Sequence, residues 1–177
     1  IPYIDSIDIY DFTGEELKNY DVFLIGTDVD QRMLLEKKNY LDEFLSRKKT
    51  IVFCGALAYP FLDEVGQFVK MNYIDFSDYE INPAIKHPIW EGVEPKDMMY
   101  RKGVAGFYSR GYNPPPQNVK IINTLGRSKH PIDYEYITKD GGRVLVHCGN
   151  NLWLFINDKT TASKMGTNLL QYLKDKR

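Results

Sequence analysis

The sequence is poor in cysteine and histidine, with two of the one and three of the other in 177 residues. Cys54 and Cys148 are too few for a disulfide framework, and neither stands in a Cys-x-x-Cys pair. His87, His130 and His147 lack ligand spacing, so they suggest no metal site. No apolar run approaches the ~20 residues that span a bilayer, so no membrane partner is expected. Charge of one sign is missing too. The formal net charge is −1, with no basic block or stripe, which removes the electrostatic footprint of a nucleic-acid binder. Internal repeats, low-complexity tracts and a second-domain boundary are absent, so residues 1–177 are expected to form one domain, whose oligomeric state the pattern leaves open. The chain opens at Ile1 without a methionine, as if a segment had been removed or were absent, and a lost leader peptide stays an open alternative. So few cysteines fit a reducing, cytoplasmic compartment.

What is present suits a globular domain with a substantial core: 43% hydrophobic and 27% charged residues. The organising stretch is Thr50–Ala56, a short apolar run that reads as a buried central strand ending at Cys54. Before it, Ile4 to Phe12 alternates as an outer strand would. Thr13 to Glu16 is a helix-start signature for one short turn to Tyr20. Asp21 to Thr27 is a second buried strand. The spacing of Met33, Leu34, Tyr40, Leu41, Phe44 and Leu45 predicts one long helix over Asp30–Arg47, with Arg32, Glu36, Lys38 and Glu43 on its outer face. Strand, helix, strand makes a βαβ unit with a parallel pair. After Cys54 a helix is expected over Ala56–Phe68, then a short strand and loop over Tyr73–Ile81 and a loop-rich stretch to Gln117. Val119–Leu125 reads as a strand. Ile132–Ile137 and Arg143–Cys148 form a β-hairpin about Asp140-Gly141, expected as a two-residue type I′ turn. Thr160 or Thr161 caps a closing helix that carries Ala162, Met165, Leu169, Tyr172 and Leu173 on one face.

Four segments together resemble the class I glutamine amidotransferase-like superfamily, and most closely its ThuA-like branches that lack amidotransferase chemistry. They are Leu17–Gly26, Tyr40–Leu45 running through Ile51–Gly55, the turn His87-Pro-Ile-Trp-Glu-Gly92, and the closing hairpin Pro131–Tyr136 with Gly142–Val146. The resemblance covers the chain from Leu17 onward. It implies a three-layer flavodoxin-like sandwich with a mostly parallel sheet and a C-terminal antiparallel hairpin. The family's opening strand and first helix are missing before Ile4.

The resemblance also implies a site. Family members place a catalytic cysteine in a tight strand-to-helix elbow, activated by a histidine that a carboxylate orients. Cys54 and His147 stand in those places. Gly149 stands where the family's glutamate would be, so no carboxylate is expected within hydrogen-bonding reach of His147, although Asp133, Glu135 or Asp158 could substitute spatially. Val52 is bulky where the elbow wants glycine. The pattern favours Cys54 as a buried small hydrophobe and His147 as a hydrogen-bonded strand residue. Aromatic side chains from Phe107 to Tyr112 are expected to crowd the cleft above Cys54. Asn150, Asn151, Trp153 and Arg110 are candidate contacts for a small polar or carbohydrate ligand, although the asparagines could equally form a turn with Trp153 as core. No cofactor is expected: Asp28 and Asp30 would repel a flavin phosphate after Gly26, and the glycines of 103–111 lack the context of a phosphate loop. Two readings follow, a non-catalytic binding or accessory module and a cysteine-dependent hydrolase or amidase using Cys54 and His147.

Overall fold

The computed structural model describes residues 4–175. Its strands are β1 (Val22–Ile25), β2 (Thr50–Cys54), β3 (Val69–Lys70), β4 (Ile81–Pro83), β5 (Tyr100–Arg101), β6 (Val104–Ala105), β7 (Gly111–Tyr112), β8 (Lys120–Leu125), β9 (His130–Ile137) and β10 (Arg143–His147). The helices are α1 (Gln31–Glu36), α2 (Lys38–Ser46), α3 (Pro95–Met99) and α4 (Lys164–Asp175). Six strands form the main sheet in the order β1-β2-β10-β9-β8-β4, and β3–β7 and β5–β6 are two-stranded ribbons. The α/β character matches the sequence reading. The sheet is less parallel than expected: β2 runs parallel to β1 and to β10, whereas β10–β9, β9–β8 and β8–β4 are antiparallel.

Three expected elements take other forms. The outer strand over Ile4–Phe12 does not form. Asp8 accepts from the Tyr10 N–H at 3.0 Å, a local side-chain bond that turns the chain aside. The segment is held instead by Phe12, stacked on Phe23 of β1 at 5.6 Å, and by Lys37, whose ammonium reaches the carbonyls of Ile9 and Phe12. The long helix is broken at that same Lys37 into α1 and α2. Asp30 caps α1 by accepting from the N–H groups of Arg32 and Met33. The apolar face survives the break, with Leu34, Leu41, Phe44 and Leu45 buried and Glu43 exposed. No helix forms over Ala56–Phe68. Its backbone donors go to distant side chains: Leu57 N–H to Asn113, and Ala58 and Tyr59 N–H to Gln31. Leu57, Phe61, Leu62 and Val65 are buried all the same.

Further along, Tyr73–Ile81 holds a 3-10 turn at Phe76–Tyr79 rather than a strand, and β4 begins only at Ile81. The stretch to Gln117 is not structureless, for it carries α3 and three short strands. The hairpin forms with Arg143 opposite Ile137 and His147 opposite Asp133. Its turn differs from the expected type I′. Gly141 N–H bonds the Thr138 carbonyl, Thr138 N–H bonds the Gly142 carbonyl, and only Gly141 in the loop has positive φ, at 89°. That is a three-residue loop with glycine in the left-handed position. The closing helix begins as a 3-10 turn at Thr161–Ser163 and continues as α4, burying Met165, Leu169, Tyr172 and Leu173.

Strand register assigns the two faces of the sheet, since residues paired across strands point the same way. Ile51, Phe53, Val144, Val146, Tyr134 and Tyr136 share one face. The 56–68 segment covers it, with Phe61 edge-on to Phe53 at 5.2 Å and the Tyr136 hydroxyl donating to the Asp63 carbonyl. The opposite face carries Cys54, His147, Asp133 and Glu135. There Tyr172 of α4 donates to Glu135 at 2.6 Å.

Candidate functional site

The register sets a polar row across four strands of that second face. Cys54 of β2 pairs with His147 of β10, His147 with Asp133 of β9, and Asp133 with Asn123 of β8. The last pairing depends on an irregularity in β8, where the register shifts on either side of Asn123 and brings its side chain onto Asp133. Asp133 is fully buried and accepts from three groups: the Asn123 amide at 2.8 Å, the Tyr108 hydroxyl at 2.7 Å and, through its other oxygen, His147 Nδ1 at 2.6 Å. Trp90 Nε1–H donates to the same Tyr108 hydroxyl at 2.7 Å. The expectation that His147 lacks a carboxylate is therefore overturned. Strict alternation in β9 puts Asp133 on the face that carries His147, and the hairpin register sets it directly opposite. The other two candidate carboxylates are engaged elsewhere: Asp158 pairs with Arg101 at 2.7 Å, and Glu135 with Lys120 at 2.7 Å.

A histidine oriented by a carboxylate is half of a nucleophilic site, and the other half is not assembled. Cys54 is the last residue of β2, still paired to His147 and fully buried. Burial pushes its thiol up to about 12, partly offset by the Leu152 N–H and reinforced by the charge of Asp133. His147 Nε2, the nitrogen that would take the thiol proton, has no hydrogen-bond partner among the described residues. The residue at the turn itself is Gly55, with φ of 145° and its N–H on the His147 carbonyl. Where a nucleophile elbow would present a side chain, this chain presents none. Cys148, next to His147, points to the other face and is likewise buried, with its thiol raised by burial.

A cleft of about 340 Å³ lies at the carboxyl edge of the parallel strands, the usual place for ligands in open α/β sheets. Thr27 follows β1, Gly55 and Ala56 follow β2, and Gly149 and Asn150 follow β10; Phe107, Tyr108 and Arg110 close it from the 106–112 segment. Neither Cys54 nor His147 lines it. Of the aromatics expected to crowd the site, Tyr108 does so, its ring 4.5 Å from that of His147. Phe107 also lines the cleft while packing edge-on against Phe155, and Tyr112 stacks on His130. A β-carbon at Gly149 would stand 1.8 Å from the Tyr108 carbonyl and 2.9 Å from His147 Nε2, so a glycine is needed to close this wall.

The four candidate ligand contacts divide. Arg110 and Asn150 line the cleft, Arg110 as its one charged residue. Their anchors are local: Arg110 Nε donates to the Gly106 carbonyl at 3.2 Å, and the Asn150 amide to Phe107 at 2.7 Å. Asn151 is buried and accepts from the Thr27 N–H at 2.9 Å, which ties β1 to the segment after β10. Trp153 packs half-buried against the core. The core alternative thus holds for Trp153, while the Asn151 side chain is taken by the Thr27 N–H rather than by a local turn. Sequence reasoning missed Asn123, Trp90 and the bond from Tyr108 to Asp133, because a strand irregularity and a distant loop bring them in and neither leaves a local signal.

His87 is a structural turn residue: its Nδ1 accepts the Ile89 N–H at 3.3 Å, and its Nε2 lies 3.8 Å from Glu135. No described helix is long and apolar enough to cross a membrane. No protein-family model matches the chain, and no curated protein matches it in sequence. Solved structures do match. Cytoplasmic Protein STM3548 from Salmonella typhimurium aligns with TM-score 0.58 and 13% identity, covering 90% of this chain and 74% of that one. Cytoplasmic Protein STM1381 from Salmonella typhimurium LT2 aligns with TM-score 0.56 and 14% identity over 91% and 75%. The mmIFT52 N-terminal domain aligns with TM-score 0.54 and 14% identity over 92% and 81%. At such identities the likeness is one of fold.

Proposed function

We propose that this chain is a non-catalytic binding module, a drifted relative of the class I glutamine amidotransferase-like proteins on a flavodoxin-like three-layer frame. In this reading the cleft at the carboxyl edge holds a small polar or carbohydrate ligand and the cysteine chemistry is gone. The observation that carries it is the placement of Cys54: sealed in β2, missing from the cleft wall, with Gly55 at the turn. Arg110 and the Asn150 side chain supply polar contacts beside Phe68 and Phe107, the mixture a small-ligand site uses for orientation and contact area. A cytoplasmic setting agrees with two free cysteines and with two structural neighbours that are named as cytoplasmic proteins.

The cysteine hydrolase reading keeps one specific observation in its favour, the 2.6 Å contact between Asp133 and His147. A buried Asp–His pair also serves as a core network, so the contact alone does not make a catalyst. Titration of isotope-labelled protein with neutral monosaccharides and small hydroxy acids tests the binding module. Amides of Gly55, Ala56, Gly149 and Asn150 should shift, and Arg110→Ala or Asn150→Ala should weaken the effect. If no such compound moves them, the binding reading fails.

A further inference from the structure

Two clefts border the β3–β7 ribbon. Phe68 and Arg110 line the one already described, whereas Lys70 and Tyr112 line a second cleft of about 440 Å³. From the chemistry of this second cleft we propose a separate binding site for a small organic anion that bears a flat ring.

Its first element is a positioned guanidinium. Arg127 sits on the turn between β8 and β9, and Asp78 grips its Nε and Nη2 at 3.1 and 3.2 Å. Asp78 is buried and also accepts the Ile74 N–H at 2.8 Å, so its carboxylate is spent on holding this turn. Gly126 lets the turn close on it, since a β-carbon there would lie 2.8 Å from the Asp78 carbonyl. Asp75 adds a weaker contact to Nη2 at 3.5 Å. Gripped along one edge, the Arg127 side chain is still 54% exposed. An arginine fixed beforehand loses less rotamer freedom when it takes a carboxylate or phosphate.

The second element is Lys70, exposed and in no ion pair among the described residues. The third is flat: the His130 ring stacks on Tyr112 at 4.2 Å and 7°, a rigid aromatic pair on which a planar ring can lie. At the rim Ile74 is 85% exposed, apolar surface that a bound ring would take from water. The Asp78–Arg127 grip alone would serve the turn. Lys70, the stacked pair and the open volume beside it are not needed for that purpose.

Two probes test the site on the whole chain, adenosine monophosphate for phosphate and indole-3-acetate for carboxylate, with adenosine and inorganic phosphate as controls. At least one probe should shift the amides of residues 70–74 and 127–130, and should bind more tightly than either control. Lys70→Gln, which loses no internal partner, should weaken binding about tenfold, and Arg127→Gln should do at least as much. Arg110→Gln in the neighbouring cleft should leave the Kd unchanged, which separates this site from the proposed function. The proposal is overturned if neither probe moves these amides, if Lys70→Gln binds as the parent does, or if inorganic phosphate alone matches the better probe.

Discussion

Asp133 is the residue on which the buried polar face depends. It takes hydrogen bonds from Asn123, Tyr108 and His147 with no exposed surface. Removing its carboxylate leaves three donors buried without an acceptor, and breaking a buried network from one side costs roughly 3–5 kcal/mol. Asp133→Ala is therefore expected to lower unfolding free energy by about that amount in urea denaturation, whereas Leu154→Ala, on an exposed side chain, should change little. Gly149 gives a second residue-scale test. A methyl group there meets the Tyr108 carbonyl and His147 Nε2, so Gly149→Ala should cost about 1–3 kcal/mol as an overpacked site. An unchanged melting temperature would show that the wall over His147 is loose.

Among the elements, those with period-two or period-3.6 apolar patterns were legible in the sequence, and those that borrow their hydrogen bonds from afar were not. β1, β2, β8, the β9–β10 hairpin and α4 follow from local patterning. The α2 face does as well: Phe44 is fully buried and Glu43 exposed, so Phe44→Ala should cost about 3–5 kcal/mol and Glu43→Ala almost nothing. The apolar spacing of Leu57, Phe61, Leu62 and Val65 suggested a helix, yet those residues are buried from an irregular segment. Gln31 and Asn113 accept its N–H groups from 27 and 56 positions away, and no window of sequence holds that information. The hairpin was legible and its turn was not, because an Asp-Gly pair serves two-residue and three-residue loops alike. With Gly141 as the left-handed residue, Gly141→Val should destabilise markedly, since a β-branched side chain resists positive φ. Asp140→Pro should destabilise as well, because proline is disfavoured before the left-handed position of this turn. Parent-like melting by either variant would contradict the turn assignment.

For the whole molecule, the buried face ties strands, loops and α4 together through charge. Glu135 is resisted by burial, yet the nearby His87 and the hydrogen bonds from Lys120 and Tyr172 hold its carboxyl well below the usual range. A carboxylate with a depressed folded pKa contributes stability that is complete above its unfolded value of ~4.3 and is lost as pH falls below it. Glu135→Gln should therefore lower stability at pH 7 and flatten the acid limb of the stability profile; an unchanged limb would show that Glu135 is not held ionised. The candidate site was half legible at this scale. Cys54 and His147 were found as neighbours at the ends of adjacent strands and Cys54 as buried, but the Asp133 partner of His147 was not, because only the register of the hairpin sets the two opposite each other.

The central claim is that this chain sets a histidine oriented by a carboxylate beside a buried, unreactive thiol, and thiol accessibility tests it most directly. Native protein is treated with iodoacetamide at neutral pH, and alkylated Cys54 and Cys148 are counted by mass spectrometry before and after unfolding in guanidinium chloride. With both thiols buried and Cys54 raised to about 12, neither should react in the native state and both should react once unfolded. Rapid native alkylation at Cys54, slowed by His147→Ala, would contradict the account and establish a working cysteine–histidine pair.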